Sequence, residues 1–322
     1  MTRVAASLAA ALAIAALGAC GGDGAEPGAP QGATLVLDFQ PNAVHVGIYA
    51  ALEDGLYERA GVDLDVEEPS ASSDAPKLLR AGRAEFAILD IHDLGLAREQ
   101  GFDVVGVAPI VQRPLAAVIA GDRHEVRRPA DLEGGRVGVT GVPSDDAVLD
   151  SVLEADGADP RSVDRVTIGF EAVAALSGGR LDAATAFWNA EGVALRRRGI
   201  PTREFRVDRY GAPRYPELVL VTTGDLIASD PGLVRAVVEA TIPGYELAVD
   251  DPDRALGALL SGARGLDPEE QEAQLDALLP ALSPVGRLDP AVLRAWSRWD
   301  VEHGILEHPV DIDAAFDTNY VE

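Results

Sequence analysis

A short pattern that occurs twice constrains this chain more than any other feature. Leu79, Gly82, Arg83, Glu85 and Ala87 follow L-x-x-G-R-x-[DE]-x-A, and Leu176, Gly179, Arg180, Asp182 and Ala184 repeat it. In each copy the glycine suits the left-handed residue that ends a helix, and the acidic residue leads into a run that suits a strand. A second echo lies upstream. Pro41-Asn42 opens a helix after one strand, and Pro143-Ser144 opens another. The two echoes keep nearly the same offset, which predicts two similar lobes, each built from strand, elbow, helix, glycine stop and strand.

The rest of the chain fits that plan. Val62, Leu64 and Val66 alternate with Asp63, Asp65 and Glu67, the period of a half-buried strand. "AEFAILD", "DVVGVAPIV", "RVGVTG", "DRVTIGF" and "DAATAFW" are further strand candidates. Two apolar strands bounded by Pro and Gly-Asp, "PLAAVIAGD" from Pro114 and "PELVLVTTGD" from Pro216, are the expected crossovers between lobes. Lobe one then spans 33–123 and 215–322, and lobe two spans 124–214. The last hundred residues divide into helices at Pro, Gly and Asp breaks. The predicted class is α/β, with two lobes, two crossover strands and a helical C-terminal tail.

The N-terminus is read separately. Residues 1–19 carry Arg3 and then an Ala/Leu-rich stretch too short for a spanning helix, as a signal peptide does. Leu17-Gly18-Ala19-Cys20 resembles a bacterial lipobox, which makes Cys20 the expected lipidation site and new N-terminus. Residues 20–32, rich in Gly and Pro, form the expected tether. Localisation would then be the cell membrane, lipid-anchored on its extracytoplasmic face. Cys20 is the one cysteine of the chain, so intrachain disulfides, thiol catalysis and cysteine metal sites are excluded. A formal charge of −26 argues against nucleic acid as a partner.

In open α/β sheets ligands bind beyond the C-terminal ends of strands, near helix N-termini. That rule selects Asp38, Phe39, Gln40, Asn42, His45 and Tyr49 at the first elbow, and Asp90, His92 and Asp93 at a later strand end. In lobe two it selects Thr140, Gly141, Ser144 and Asp145, then Phe187, Trp188, Asn189 and Glu191. Each has a plainer reading. Asn42 and Ser144 are good N-caps, His45 and Tyr49 suit packing on one helix face, and Trp188 suits the core. Glu191 is the most pointed of these, because a carboxylate beside dense aromatic surface calls for a partner bearing N–H donors. His92 lies between Asp90 and Asp93, but without a second histidine no metal is expected. The Arg196-Arg197-Arg198 run suits a solvated helix face. No Gly-x-Ser-x-Gly or His-Glu-x-x-His motif occurs, and "TGVPSDD" lacks the Gly-Lys-Ser ending of a phosphate loop.

"LDFQPNAVHVGIYAALEDGLYERAGVDLDV" resembles the opening of ABC-transporter substrate-binding proteins for thiamine-pyrimidine precursors. Their broader group also takes alkanesulfonates, taurine, nitrate and riboflavin. Leu37, Asp38, Pro41, Asn42, His45, Gly47 and Tyr49 match its motif, and Phe39 departs where tryptophan is usual. "LLRAGRAEFAI" and the closing "WSRWDVEHGILEHPVDIDAAFDTNYV" are similar to further family segments, so the likeness covers nearly all of 34–322. It implies a periplasmic-binding-protein flytrap that delivers a small molecule to a permease with an ATPase subunit. It implies a monomer without cofactor, and it places Asn42, His45 and Tyr49 at the ligand and Glu191 opposite a pyrimidine amino group. The runner-up ligands are a sulfonate, nitrate or a flavin. Fungal thiamine-pyrimidine synthases share the fold, but their cofactor lysine falls here at Ile88 and their cysteine-rich motif near "RYPELVLVTT" has no cysteine. No enzyme activity is expected.

Overall fold

The computed structural model of the protein describes residues 29–70, 74–121 and 126–321. The signal segment, Cys20, most of the tether and the expected lobe boundary at 123–124 lie outside the described residues. The described strands are β1 (Gln31–Val36), β2 (Val62–Glu67), β3 (Phe86–Asp90), β4 (Val104–Val111), β5 (Ala116–Gly121), β6 (Arg136–Val139), β7 (Asp164–Thr167), β8 (Ala183–Phe187), β9 (Thr202–Arg206) and β10 (Leu218–Thr223). They form two five-stranded sheets, ordered β2-β1-β3-β10-β4 and β7-β6-β8-β5-β9.

The two orders are the same pattern. In each sheet four strands run in one direction, and the fourth position holds an antiparallel strand that has just crossed from the other lobe. β5 enters the second sheet between β8 and β9, and β10 enters the first between β3 and β4. This corrects the expected partition. "PLAAVIAGD" belongs to the second sheet rather than closing the first, so the chain crosses at 112–115. β1 also begins at Gln31, inside the expected tether, paired with Val62. β9 was not foreseen at all.

The repeated nine-residue pattern has a physical basis. Gly82 and Gly179 both hold positive φ, 63° and 64°, and end their helices. The acidic residue that follows clips the neighbouring parallel strand in both lobes. Glu85 Oε2 accepts the Thr34 amide at 2.8 Å, and Asp182 Oδ2 accepts the Arg136 amide at 2.6 Å. Each carboxylate satisfies a backbone N–H where pairing with the next strand begins.

Helices of the C-terminal tail start at Asp-Pro pairs. Asp230, Asp251, Asp267 and Asp289 each accept an amide of the first turn, and proline occupies the first helical position. The helix Pro231–Asp250 crosses the helix Val46–Glu53 at two glycines. A Cβ on Gly244 would lie 2.1 Å from the Gly47 carbonyl oxygen, and one on Gly47 would lie 2.4 Å from the Tyr245 ring. Only glycine lets these backbones meet, and Tyr245 then donates its hydroxyl to Val44 O at 2.7 Å. The tail thereby fixes the first elbow from behind. No described helix is long and apolar enough to cross a membrane.

Candidate ligand-binding site

The facing strand ends of the two lobes enclose a cavity of about 130 Å³, close to the roughly 150 Å³ that holds a benzene ring in an engineered protein interior. Asp38, Phe39 and Asn42 enter its wall from the loop after β1. Asn42 caps the 3-10 turn Ala43–His45, its Oδ1 accepting the Val44 amide at 2.9 Å. His45 completes a capping box from the position where Glu or Gln is usual: its Nδ1 accepts the Asn42 amide at 3.2 Å. With Nδ1 accepting, the ring proton sits on Nε2 and is donated to Asp38 Oδ1 at 2.9 Å. His45 is therefore fully buried behind the wall, where it orients a carboxylate that faces the cavity.

Asp90 and Asp93 line the cavity from the end of β3. His92 between them turns away and is buried. One of its ring nitrogens, Nδ1, meets Asp300 Oδ1 at 2.8 Å, the other meets the Tyr215 hydroxyl at 3.1 Å, and Trp296 packs alongside. Burial alone would pull the imidazole down, but Asp300, Asp90 and Asp93 outweigh it and push it up to about 9. It is thus an imidazolium paired to the closing "WSRWD" segment.

In the second lobe Thr140, Ser144 and Asp145 stand at the elbow after β6. Asp145 accepts the Thr140 amide at 2.7 Å. After β8, Phe187 and Glu191 reach the wall, and Glu191 Oε2 accepts the Phe187 amide at 3.0 Å. Burial raises the Glu191 and Asp145 carboxyls, and Asp93 is pushed up to about 6, chiefly by burial. Phe170, from the turn after β7, meets Phe39 edge to face with ring centroids 4.4 Å apart.

Of the eleven ligand-facing residues expected from sequence, Asp38, Phe39, Asn42, Asp90, Ser144 and Glu191 line the cavity. The other five lie outside its wall. His45 and His92 are buried behind it. Tyr49 packs on Gly262 of the tail, where an added Cβ would lie 2.5 Å from its ring; burial and Glu68 raise its hydroxyl to about 12. The motif His45-x-Gly47-x-Tyr49 is therefore largely a docking surface for the tail. Trp188 donates Nε1–H to Pro114 O at 3.1 Å and stacks under Arg206 at 3.8 Å, and Asn189 is fully buried. Phe170 was missed, although a glycine-aromatic pair directly after a strand end is a readable signal. The arginine run is the exposed helix face expected of it, and within that face Arg197 pairs with Glu269 at 2.7 Å, joining the second lobe to the tail, while Arg196 pairs with Glu204.

The wall's electrostatics decide what it suits. Asp38, Asp90, Asp93, Asp145 and Glu191 all border the cavity, and no Lys, Arg or His is among its described lining residues. Such a wall repels anions and favours a ligand rich in N–H donors. Among the described residues no set of three His, Cys, Asp or Glu side chains converges as a metal site.

Two α/β lobes joined by two crossings, with the cavity at their facing strand ends, define the type II periplasmic-binding-protein fold. The alkanesulfonate-binding protein SsuA from Xanthomonas axonopodis pv. citri superposes with a TM-score of 0.73 at 18% identity, covering 89% of this chain and 98% of that one. Within that fold the chain belongs to the NMT1/THI5-like family, whose model matches residues 42–255. It is 33% identical to a formylaminopyrimidine-binding protein from Halalkalibacterium halodurans over 88% of both chains. It is 23% identical to a 4-amino-5-hydroxymethyl-2-methylpyrimidine phosphate synthase from Legionella pneumophila, again over 88% of both.

Proposed function

We propose that this chain is the extracytoplasmic solute-binding component of an ABC importer and takes an aminopyrimidine, a thiamine-pyrimidine precursor, between its lobes. One observation carries the ligand reading: five carboxylates and the Phe39–Phe170 pair border a one-ring cavity without a basic side chain. Carboxylates hydrogen-bond the amino and ring-nitrogen edge of such a ligand, and the aromatic rings cover its faces. The name of the Halalkalibacterium relative supports the same class. A sulfonate or nitrate ligand would place an anion among those carboxylates.

The chain works as a receptor rather than an enzyme. The resemblance to the fungal thiamine-pyrimidine synthases puts their cofactor lysine at Ile88 of this chain, and the one lysine here, Lys77, is not in the cavity wall. Cys20 carries the lipid anchor, the receptor is a monomer, and its partner is a permease with an ATPase subunit. Replacing Cys20 by Ala should release the protein from the membrane fraction; retention would contradict the anchor.

The ligand is tested by thermal shift against an aminopyrimidine, thiamine, riboflavin, taurine and nitrate. A true ligand at 100 times its dissociation constant adds about 2.7 kcal/mol of stability. Stabilisation by taurine alone would overturn the pyrimidine reading.

A further inference from the structure

Glu217 is fully buried, its side chain 0% exposed, and lies just before β10 on the segment that returns from the second lobe. Its Oε2 accepts the Leu115 amide at 2.5 Å, and the Ala116 amide also reaches the carboxyl. Leu115 belongs to the outgoing crossover. One carboxyl therefore ties the two crossing segments together at the point where the lobes join.

The other oxygen, Oε1, is buried and meets no N–H or O–H donor among the described residues. The side chain of Asp90 lies within hydrogen-bond reach of the Glu217 carboxyl. Pairing between β3 and β10 brings the two backbones together at the end of β3 and just before β10: Leu218 is in register with Asp90, and the Ile91 amide donates to Glu217 O at 3.0 Å. Two carboxyl groups touch through a hydrogen bond only when one of them supplies a proton.

We propose that Asp90 and Glu217 share one proton, forming an acid–carboxylate pair that couples the cavity wall to both crossovers. Glu217 is then a positioning residue for Asp90, and the crossing geometry depends on the proton they hold. Other charges around the pair do not supply that proton by themselves. His92 faces Asp90 but spends its ring N–H groups on Asp300 and Tyr215. Asp93 adds negative charge beside Asp90, Asp145 does so toward Glu217 from the second lobe, and the neutral Tyr215 borders both. Burial is the largest cause raising both carboxyls, and Glu217 is pushed up to about 7. Losing the proton places two like charges together out of water, which strains the crossings.

Existence of the pair does not depend on which ligand binds; its effect on affinity rests on the aminopyrimidine reading. The test is infrared spectroscopy on the full chain without ligand, wild type against Glu217→Gln, at about pH 6. The expected result is one protonated-carboxyl band in the wild-type-minus-variant difference spectrum, because the amide donates to Asp90 without a proton, while absorption from Asp93 and other raised carboxyls cancels. Asp90→Asn should remove the same band, which covers the case of a Glu217 variant that does not fold. A wild type without the band, or variants that retain it, would overturn the proposal. A second readout is the unfolding equilibrium between about pH 5 and pH 7, whose slope should fall in Glu217→Gln by one proton, tenfold per pH unit. Equal slopes would also overturn it. In titrations with an aminopyrimidine, wild-type affinity should weaken above about pH 7 while Glu217→Gln stays level. Failure of any aminopyrimidine to bind would end the ligand reading, and the infrared result would still decide the pair.

Discussion

Phe39 and Phe170 meet edge to face across the cavity, one carried by each lobe, with their rings at 82°. Nothing in the hydrogen-bond pattern requires this contact. Both residues stand in loops beyond strand ends, and their meeting closes one side of the cleft. Aromatic pairs of this kind contribute about 0.5–1.5 kcal/mol beyond the area they bury. Phe170→Ala should therefore weaken aminopyrimidine binding by about tenfold, measured by calorimetric titration, with thermal stability little changed. An unaltered affinity would remove Phe170 from the site.

The Glu191 carboxyl accepts the Phe187 amide, and its own backbone amide also reaches it. Its replacement by Ala costs the fold little and the ligand a charge-assisted bond. The expected loss is about 1.5–3 kcal/mol of binding, roughly a tenfold to hundredfold rise in Kd. A far-ultraviolet circular dichroism spectrum identical to wild type separates this from misfolding.

The buried pair of His92 and Asp300 supports the wall without lining it. Asp300→Asn leaves a buried imidazolium short of its main partner and should destabilise the fold by about 3–5 kcal/mol in chemical denaturation near neutral pH. The sign with pH follows from the raised folded value. Stability from this pair is fully present below the ordinary histidine value near 6.5 and is lost as pH rises through about 9. The wild type should lose stability across that window, and Asp300→Asn should lose much less.

Tyr49 gives a prediction of the opposite kind. Its ring packs on Gly262 outside the cavity wall, so Tyr49→Phe should bind ligand as the wild type does. Gly47→Ala should be destabilising by about 1–3 kcal/mol, because its Cβ would overlap the Tyr245 ring. A ligand defect in Tyr49→Phe would restore it to the binding face.

These residues show where sequence reading succeeds and where it stops. The doubled L-x-x-G-R-x-[DE]-x-A pattern was legible because helix stop, clip and strand are neighbours in the chain, and the structure repeats them in both lobes. The rule of strand C-terminal ends located Asp38, Asn42, Asp90, Ser144 and Glu191 for the same reason. His45 and Tyr49 sat in the most recognisable motif, yet His45 turns back to the Asn42 amide and Asp38, and Tyr49 packs on Gly262, about two hundred residues away. No local period carries that information. β9, Thr-Arg-Glu-Phe-Arg, is an edge strand with one apolar side chain fully buried, so it gives no apolar run. β5 was misplaced because apolar strands of either lobe look alike until their partners are known. Glu217 escaped notice because its importance lies in what it touches, the Leu115 amide and Asp90.

The central claim is that a wall of carboxylates without a basic side chain selects an aminopyrimidine. Calorimetric titration of the full chain with an aminopyrimidine, and in parallel with taurine and nitrate, tests it most directly. The account predicts saturable one-to-one binding of the aminopyrimidine, weakened by Glu191→Ala, and no heat from either anion. Binding of taurine or nitrate with the aminopyrimidine silent would contradict it.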